Sequence, residues 1–164
     1  MDPRLNVTII RNAVVSNYPF TDYFKGFDKI EAVKKIFGEK TSMVLQTLRV
    51  EFFTGRGYMG VSDQTGHLRV NANYLKHGDI VDLYLDIIHE LVHVKQFLQG
   101  RKLFDENYRY IERPTEIEAY RHSVEEARNL GLSDERIIQY LKTERRSEED
   151  LKQMARTLKV RFEN

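Results

Sequence analysis

The stretch DIVDLYLDIIHELVHVKQFLQ, at residues 79–99, decides the fold and contains HELVH at residues 89–93. Strong helix formers make up most of it, and no glycine or proline interrupts it before Gly100, so it predicts one long helix. Apolar side chains occur on almost every side of that helix, which indicates that the helix is buried. The two histidines are therefore not expected on an ordinary solvated surface.

The HELVH segment has the HExxH spacing. Residues four apart on a helix lie one turn apart on the same face, so His89 and His93 point in the same direction. Two imidazoles arranged in this way can bind one Zn²⁺ at about 2.0–2.1 Å each. Glu90 is then placed to take a proton from a water activated by the metal. The alternative is a pair of core histidines without a metal.

Length, charge and cysteine content limit the class of protein. The 164 residues suit a single domain, 1–164, with a core at about 40–131 and a C-terminal extension at about 132–164. Lys and Arg total 26 against 25 Asp and Glu, so no basic field predicts nucleic-acid binding. The absence of cysteine excludes disulfides and thiolate zinc sites, and it fits a cytoplasmic protein. We expect neither a signal peptide nor a membrane span.

The residues before the long helix predict a small sheet with one helix. We expect a strand around Val7–Ile10 and a helix over Asp28–Phe37. The segment Met43–Phe53 favours a strand, although its first half also fits a helix. Residues 58–62 and 68–73 flank the polar turn DQTG and predict an antiparallel hairpin. An edge strand of this sheet could pair with an extended peptide; the alternative is an ordinary core sheet.

A second long helix is predicted over Glu116–Leu130, opened by Pro114 and ended by Gly131. A catalytic zinc site with two histidines needs a carboxylate as its third protein ligand, and Glu116 and Glu118 both lie in the first turn. On a helix these two side chains point about 200° apart, so only one of them can face the metal. Composition alone leaves the choice open.

HELVH followed by PTEIEAY, at residues 114–120, resembles the gluzincin clan of zinc metallopeptidases, and the small size is similar to the minigluzincins. The resemblance covers about 58–131. It implies a zincin-like fold in which a "glutamate helix" supplies the third ligand. The clan's ligand glutamate commonly begins the pattern E-x-x-A/S-D/N, which favours Glu116 over Glu118. Tyr120 then occupies the position of the clan's Asp or Asn, so the carboxylate that usually supports a histidine there is in question.

The resemblance also implies a residue that stabilises the oxyanion beside the metal, commonly Tyr or His. The candidates in this chain are Tyr108, Tyr110, Tyr120 and His122. Each of them could instead be a packing or surface residue. Asp86, three residues before the first histidine, either orients an imidazole or is a solvated acid.

The C-terminal extension predicts two further helices, each opened by a serine followed by acidic residues, at Ser133 and Ser147. The second helix carries an apolar stripe of Leu151, Met154, Leu158 and Phe162. The stripe covers the protein's own core, or places the tail over the cleft as a lid, or forms a dimer contact.

The sequence therefore predicts an α+β zincin-like domain with a small, mostly antiparallel sheet, an active-site helix, a glutamate helix and a helical extension. The predicted function is Zn²⁺-dependent hydrolysis of a peptide or protein substrate, with Glu90 as general base and His89, His93 and Glu116 as ligands. The alternative is a zinc-stabilised binding module, non-catalytic or latent. A helical regulator with a fortuitous motif would bind no metal.

Overall fold

The computed structural model describes residues 2–144 and 146–162. About 54% of the described residues are helical, and the domain is of the α+β class, as predicted. The strands are β1 Thr8–Ile9, β2 Asn17–Pro19, β3 Phe24–Lys25, β4 Arg49–Phe53, β5 Met59–Val61 and β6 Leu68–Asn71. The helices are α1 Phe20–Tyr23, α2 Glu31–Phe37, α3 Thr41–Thr47, α4 Ala72–His77, α5 Ile80–Leu98, α6 Pro114–Asn129, α7 Asp134–Leu141 and α8 Glu148–Leu158.

The larger sheet has the strand order β2-β4-β6-β5 and is mixed. β2 pairs antiparallel with β4, β4 pairs parallel with β6, and β5 pairs antiparallel with β6. The β5–β6 pair is the hairpin that the DQTG turn predicts, with Met59 opposite Val70. β5 lies at one edge of the sheet formed by the described residues. β1 and β3 form a separate antiparallel pair.

The long helix α5 is the centre of the molecule. Asp79 caps its first turn by accepting hydrogen bonds from the backbone N–H groups of Val81 and Asp82, at 2.9 and 3.0 Å. Burial then continues along the helix on most sides, because α5 packs against α6, α2 and β5 at once. This three-sided packing explains why the apolar residues of α5 do not form a single stripe.

The C-terminal extension belongs to the same packed core. Ser133 and Ser147 cap α7 and α8 as expected, each accepting a hydrogen bond from the backbone N–H three residues later. Leu151 and Met154 are buried in this core, and Leu158 and Phe162 pack against it. The stripe on α8 therefore covers the protein's own core. Its first two residues are not free to make a dimer contact.

Two local predictions differ from the structure. The first half of Met43–Phe53 is helix α3, which was the alternative assignment, and the strand begins only at Arg49. The predicted strand at 68–73 ends at Asn71, where α4 begins. The side chain of Asn71 causes this change: its Oδ1 accepts from the backbone N–H groups of Asn73 and Tyr74 and so caps α4.

Among residues 2–144 and 146–162, no helix combines the length and the apolar character that crossing a bilayer requires.

Candidate metal site

Helices α5 and α6 bring three predicted ligands to one point. The Nε2 atoms of His89 and His93 each lie 3.0 Å from Oε1 of Glu116, and the two Nε2 atoms lie 3.2 Å apart. All three side chains are buried. The histidines share one face of α5 because they are four residues apart, and Glu116 reaches them from the first turn of α6.

This arrangement fits a metal ion. Ligand atoms bound to tetrahedral Zn²⁺ at about 2.0–2.1 Å lie about 3.3–3.4 Å from one another, close to the distances in this cluster. Without an ion, two imidazole nitrogens and a carboxylate oxygen lie at hydrogen-bond distance from one another. Protons must then lie between these atoms, because their lone pairs would otherwise repel. A cation between them accepts a lone pair from each. Two imidazoles and one carboxylate are a typical donor set for catalytic Zn²⁺.

The two histidines have different supports. Nδ1 of His93 lies 2.7 Å from Oε1 of Gln96, and Gln96 donates its amide to the backbone carbonyl of Thr115 at 3.0 Å. Gln96 therefore fixes the proton of His93 on Nδ1 and leaves Nε2 free to bind a metal. Nδ1 of His89 is buried and has no hydrogen-bond partner among the described residues. The Tyr120 ring packs edge-on against the His89 ring instead, with 4.2 Å between ring centroids.

The electrostatics of the metal-free cluster centre on Glu116. Burial raises the pKa of this carboxyl, but hydrogen bonds from His89 and His93 outweigh burial and hold the pKa well below its usual range. Burial lowers the pKa of His89. Burial also acts to lower the pKa of His93, but Glu116 and Glu90 outweigh it and raise the pKa to about 9. The cluster thus pairs the charged carboxylate of Glu116 with a protonated His93, and a bound cation would replace that proton.

Glu90 lies on the wall of a cavity of about 140 Å³ that His93 and Glu116 also line. Its Oε1 lies 4.0 Å from Nε2 of His89, and its buried Oε2 has no hydrogen-bond partner among the described residues. Burial raises the pKa of Glu90 to about 8. With a pKa near 8, the Glu90 carboxyl gains or loses a proton close to neutral pH, and its unpartnered Oε2 beside the small cavity is placed to exchange that proton with a molecule there.

The structure distinguishes the two glutamates of α6. Glu118 points away from the histidines, and its carboxylate accepts hydrogen bonds from Arg101 at 2.9 Å and from Gln96 at 3.3 Å. The half-turn offset of 200° predicted from helix geometry accounts for this difference. Asp86 does not support a histidine, because its carboxylate accepts a hydrogen bond from the hydroxyl of Tyr74 at 2.5 Å.

The four oxyanion candidates lie in different places. Tyr110 lines the cavity together with Glu90 and Glu116. Tyr120 lies behind it, with its hydroxyl 3.3 Å from that of Tyr110. Tyr108 is 44% exposed. His122 lies on the Glu118 side of α6, where burial and Lys95 lower its pKa.

Three residues near the site were missed by the sequence analysis: Gln96, Glu144 and Arg146. Gln96 is three residues after His93, so helical spacing alone would have placed it beside that imidazole. Glu144 lines the cavity from the connection between α7 and α8. Arg146 bonds to the Tyr120 hydroxyl from the same connection. No local pattern predicts a contact between this connection and α6, because the contact depends on how the extension packs.

Comparisons with known proteins identify no relative. No protein-family model, no curated protein and no solved structure matches this chain.

Proposed function

We propose that this protein is a zinc metallopeptidase of the gluzincin type that hydrolyses peptide bonds in a peptide or protein substrate. The observation that carries the proposal is the meeting of His89, His93 and Glu116 at one buried point, with Glu90 unpartnered beside it. A purely structural metal site has no use for an additional, unpartnered acidic group facing a cavity. The order of α5 and α6 in the chain supports a zincin-like fold with a glutamate helix.

His89, His93 and Glu116 would hold the Zn²⁺. Bound there, the ion would lower the pKa of a water molecule and polarise the carbonyl of the scissile bond. The general base is Glu90, which takes the proton of the attacking water at Oε2 and transfers it to the leaving amine. Gln96 keeps the Nε2 lone pair of His93 directed at the ion by holding the proton on Nδ1.

Strand β5 is the proposed binding site for the substrate backbone. Met59, Gly60 and Val61 line the cavity that contains Glu90 and His93. Their strand pairs with β6 on one side and is an edge of the sheet formed by the described residues on the other. An extended peptide that adds to this edge by β-augmentation would run past the metal site with its backbone carbonyls at the cavity.

Tyr110 is the best placed of the four oxyanion candidates. It lines the cavity with Glu90, His93 and Glu116, whereas Tyr108 is largely solvent-exposed and His122 lies on the other side of α6. A phenol donor close to the developing oxyanion stabilises the transition state more than the substrate. The proposed mechanism therefore uses Glu90 for the proton and Tyr110 for the oxyanion.

The test begins with metal content and general proteolysis. The protein is purified without chelator or metal-affinity tag, zinc is measured by mass spectrometry, and fluorescein-labelled casein serves as the substrate. We expect about one zinc per chain. Glu90→Gln should retain this zinc but lose about 10²–10⁴-fold in hydrolysis, because it removes the base and no ligand.

Glu135→Gln, an exposed residue on α7, is the matched control and should behave as the wild type. Full hydrolysis by Glu90→Gln, or a wild type that binds no zinc when zinc is supplied, contradicts the proposal.

One observation favours a second function, a latent or non-catalytic zinc-binding module. The ligands are each at most 5% exposed, and the adjoining cavity of about 140 Å³ is small for a polypeptide. This alternative predicts full zinc occupancy with no cleavage of casein, whereas the peptidase predicts both.

A further inference from the structure

The connection between α7 and α8 brings a buried arginine to the edge of the candidate metal site. The side chain of Arg146 is only 7% exposed. It donates hydrogen bonds to the hydroxyl of Tyr120 and, at 3.2 Å, to the carboxylate of Glu144. Its guanidinium also lies 4.8 Å from the ring centre of Tyr110 and 5.4 Å from that of Tyr120. A buried guanidinium therefore contacts both tyrosines of the site at once.

These contacts lead directly to the proposed ligands. The two tyrosine hydroxyls lie 3.3 Å apart, and the Tyr120 ring packs on His89. Tyr110 lines the cavity that holds Glu90 and Glu116. Arg146 is thus connected to the cavity through Tyr110, and to the proposed ligand His89 through the ring of Tyr120.

The chemistry of the donors fixes the first step of this chain of hydrogen bonds. Arginine can only donate, so the Tyr120 oxygen accepts from Arg146. Either of the two tyrosine hydroxyls can donate to the other. In the arrangement that serves the reaction, Tyr120 donates to Tyr110, which leaves the Tyr110 proton for an acceptor at the cavity. Each donation from a charged group strengthens the next hydrogen bond in such a chain.

We infer that Arg146 is a positioning residue for the proposed reaction: it holds and polarises the Tyr120–Tyr110 pair so that Tyr110 donates to the oxyanion. This inference rests on the proposed function. It makes the C-terminal extension part of the site, since the arginine comes from that extension and both tyrosines come from the preceding part of the chain. If the extension acted only as a lid, the contacts made by Arg146 would hinder the reaction instead.

The charges near the cavity are consistent with this role. Glu90, Glu116 and Glu144 line the cavity, and the guanidinium of Arg146 pairs with Glu144. A buried guanidinium is costly unless a carboxylate and further hydrogen bonds compensate it. Glu144 and Tyr120 provide this compensation, so Arg146 can remain buried next to the tyrosines.

The test uses the full-length zinc-loaded protein and one fluorogenic peptide chosen from its casein cleavage sites. Arg146→Gln should lower kcat by about 10- to 100-fold with KM changed less than about 3-fold, because Tyr110 acts only in the transition state. Arg146→Lys should recover part of the loss, since it restores the charge but not the planar geometry. Tyr110→Phe should match Arg146→Gln, and combining the two should add little further loss.

A readout that does not depend on turnover separates this role from simple tethering. A phosphinic peptide analogue of the same substrate mimics the tetrahedral transition state. Arg146→Gln should weaken its binding by about the same factor as kcat, and weaken binding of the cleavage-product peptide much less. Zinc content should stay at the wild-type value in every variant.

Arg109→Gln is the matched control. Arg109 directly precedes Tyr110, lies on the exposed surface and forms an ion pair with Asp150 of α8 at 2.5 Å. This variant should lose no activity. Wild-type kcat in Arg146→Gln overturns the inference and leaves the peptidase proposal intact. The inference is also overturned if Arg109→Gln loses as much activity as Arg146→Gln, or if Arg146→Gln loses its zinc together with its activity. A wild type that binds zinc but cleaves nothing overturns the proposed function, and the role of Arg146 with it.

Discussion

Helix α6 presents two glutamates in its first turns whose surroundings have little in common. Glu116 is buried, and its carboxylate meets two imidazoles. Glu118 is about one-third exposed and pairs with Arg101. Both carboxylates are partly or fully desolvated and both have cationic or potentially cationic partners, yet only Glu116 faces the cavity. Two residues of helical rotation thus separate a candidate ligand from a surface ion pair.

The two faces are nevertheless connected through Gln96. Its amide oxygen meets Nδ1 of His93, and its amide nitrogen donates to Glu118 and to the backbone of Thr115. The Glu118 face therefore helps to orient the side chain that orients a ligand. Substitutions should therefore weaken metal binding most at Glu116, less at Gln96 and least at Glu118.

The largest expected effect follows from exchanging each glutamate for glutamine. Glu116→Gln should weaken zinc binding by more than about 100-fold, because it removes a charged ligand rather than a supporting residue. Glu118→Gln should change it by less than about 3-fold, since glutamine can still accept from Gln96. Competition with a chromogenic chelator measures both affinities. Equal losses in the two variants would contradict the ligand assignment.

Gln96→Ala should have an intermediate effect. Removing the acceptor from Nδ1 of His93 frees the tautomer and the ring orientation, which typically costs about 10- to 100-fold in metal affinity. The measurement is the same chelator competition, with thermal unfolding to show that the variant is folded. Unchanged affinity would mean that His93 is oriented without help from Gln96.

The sequence predicts which side chains meet at the candidate site better than it predicts the contacts around them. The histidines, Glu90 and Glu116 lie on two long helices, and helical spacing carries side-chain direction without knowledge of the fold. The caps at Ser133 and Ser147 were readable for the same reason. The hairpin before α5 was readable from its turn.

Contacts between distant segments could not be read in this way. β4 pairs parallel with β6, although the two strands are not consecutive in the chain. No local sequence pattern predicts this pairing, and the sequence predicted a mostly antiparallel sheet. Arg146 reaches Tyr120 across 26 residues, and only the packing of α7 and α8 decides that contact. Asn71 ends a strand and caps α4 because its side chain competes with the ladder for backbone groups.

A third carboxylate, Asp86, sharpens the comparison because its hydrogen bond comes from a hydroxyl, at Tyr74, and not from a histidine or arginine. Burial raises its pKa from 3.8 to about 8. The folded state then holds a proton that the unfolded state releases above pH 3.8, so Asp86 costs stability increasingly as the pH rises toward about 8.

Asp86→Asn should therefore stabilise the protein by roughly 2 kcal/mol at pH 8 and by almost nothing at pH 4. Urea unfolding at both pH values checks this, with Asp63→Asn in the exposed hairpin turn as control. A gain that is the same at both pH values would show that the proton on Asp86 is not its cause.

The smallest effect belongs to the Glu118 ion pair. Partial burial raises the pKa of Glu118, but hydrogen bonds from Arg101 and Gln96 outweigh it and lower the pKa below 4.5. A depressed carboxyl pKa stabilises the fold above pH 4.5, and the contribution is lost as the pH falls through the folded-state value. Because the pair is about one-third exposed, Glu118→Gln should cost only about 0.5 kcal/mol at pH 7, and less in 1 M salt. Urea unfolding at low and high salt measures it. A cost above about 2 kcal/mol would mean that Glu118 supports Gln96, and through it His93, far more strongly than a surface ion pair can.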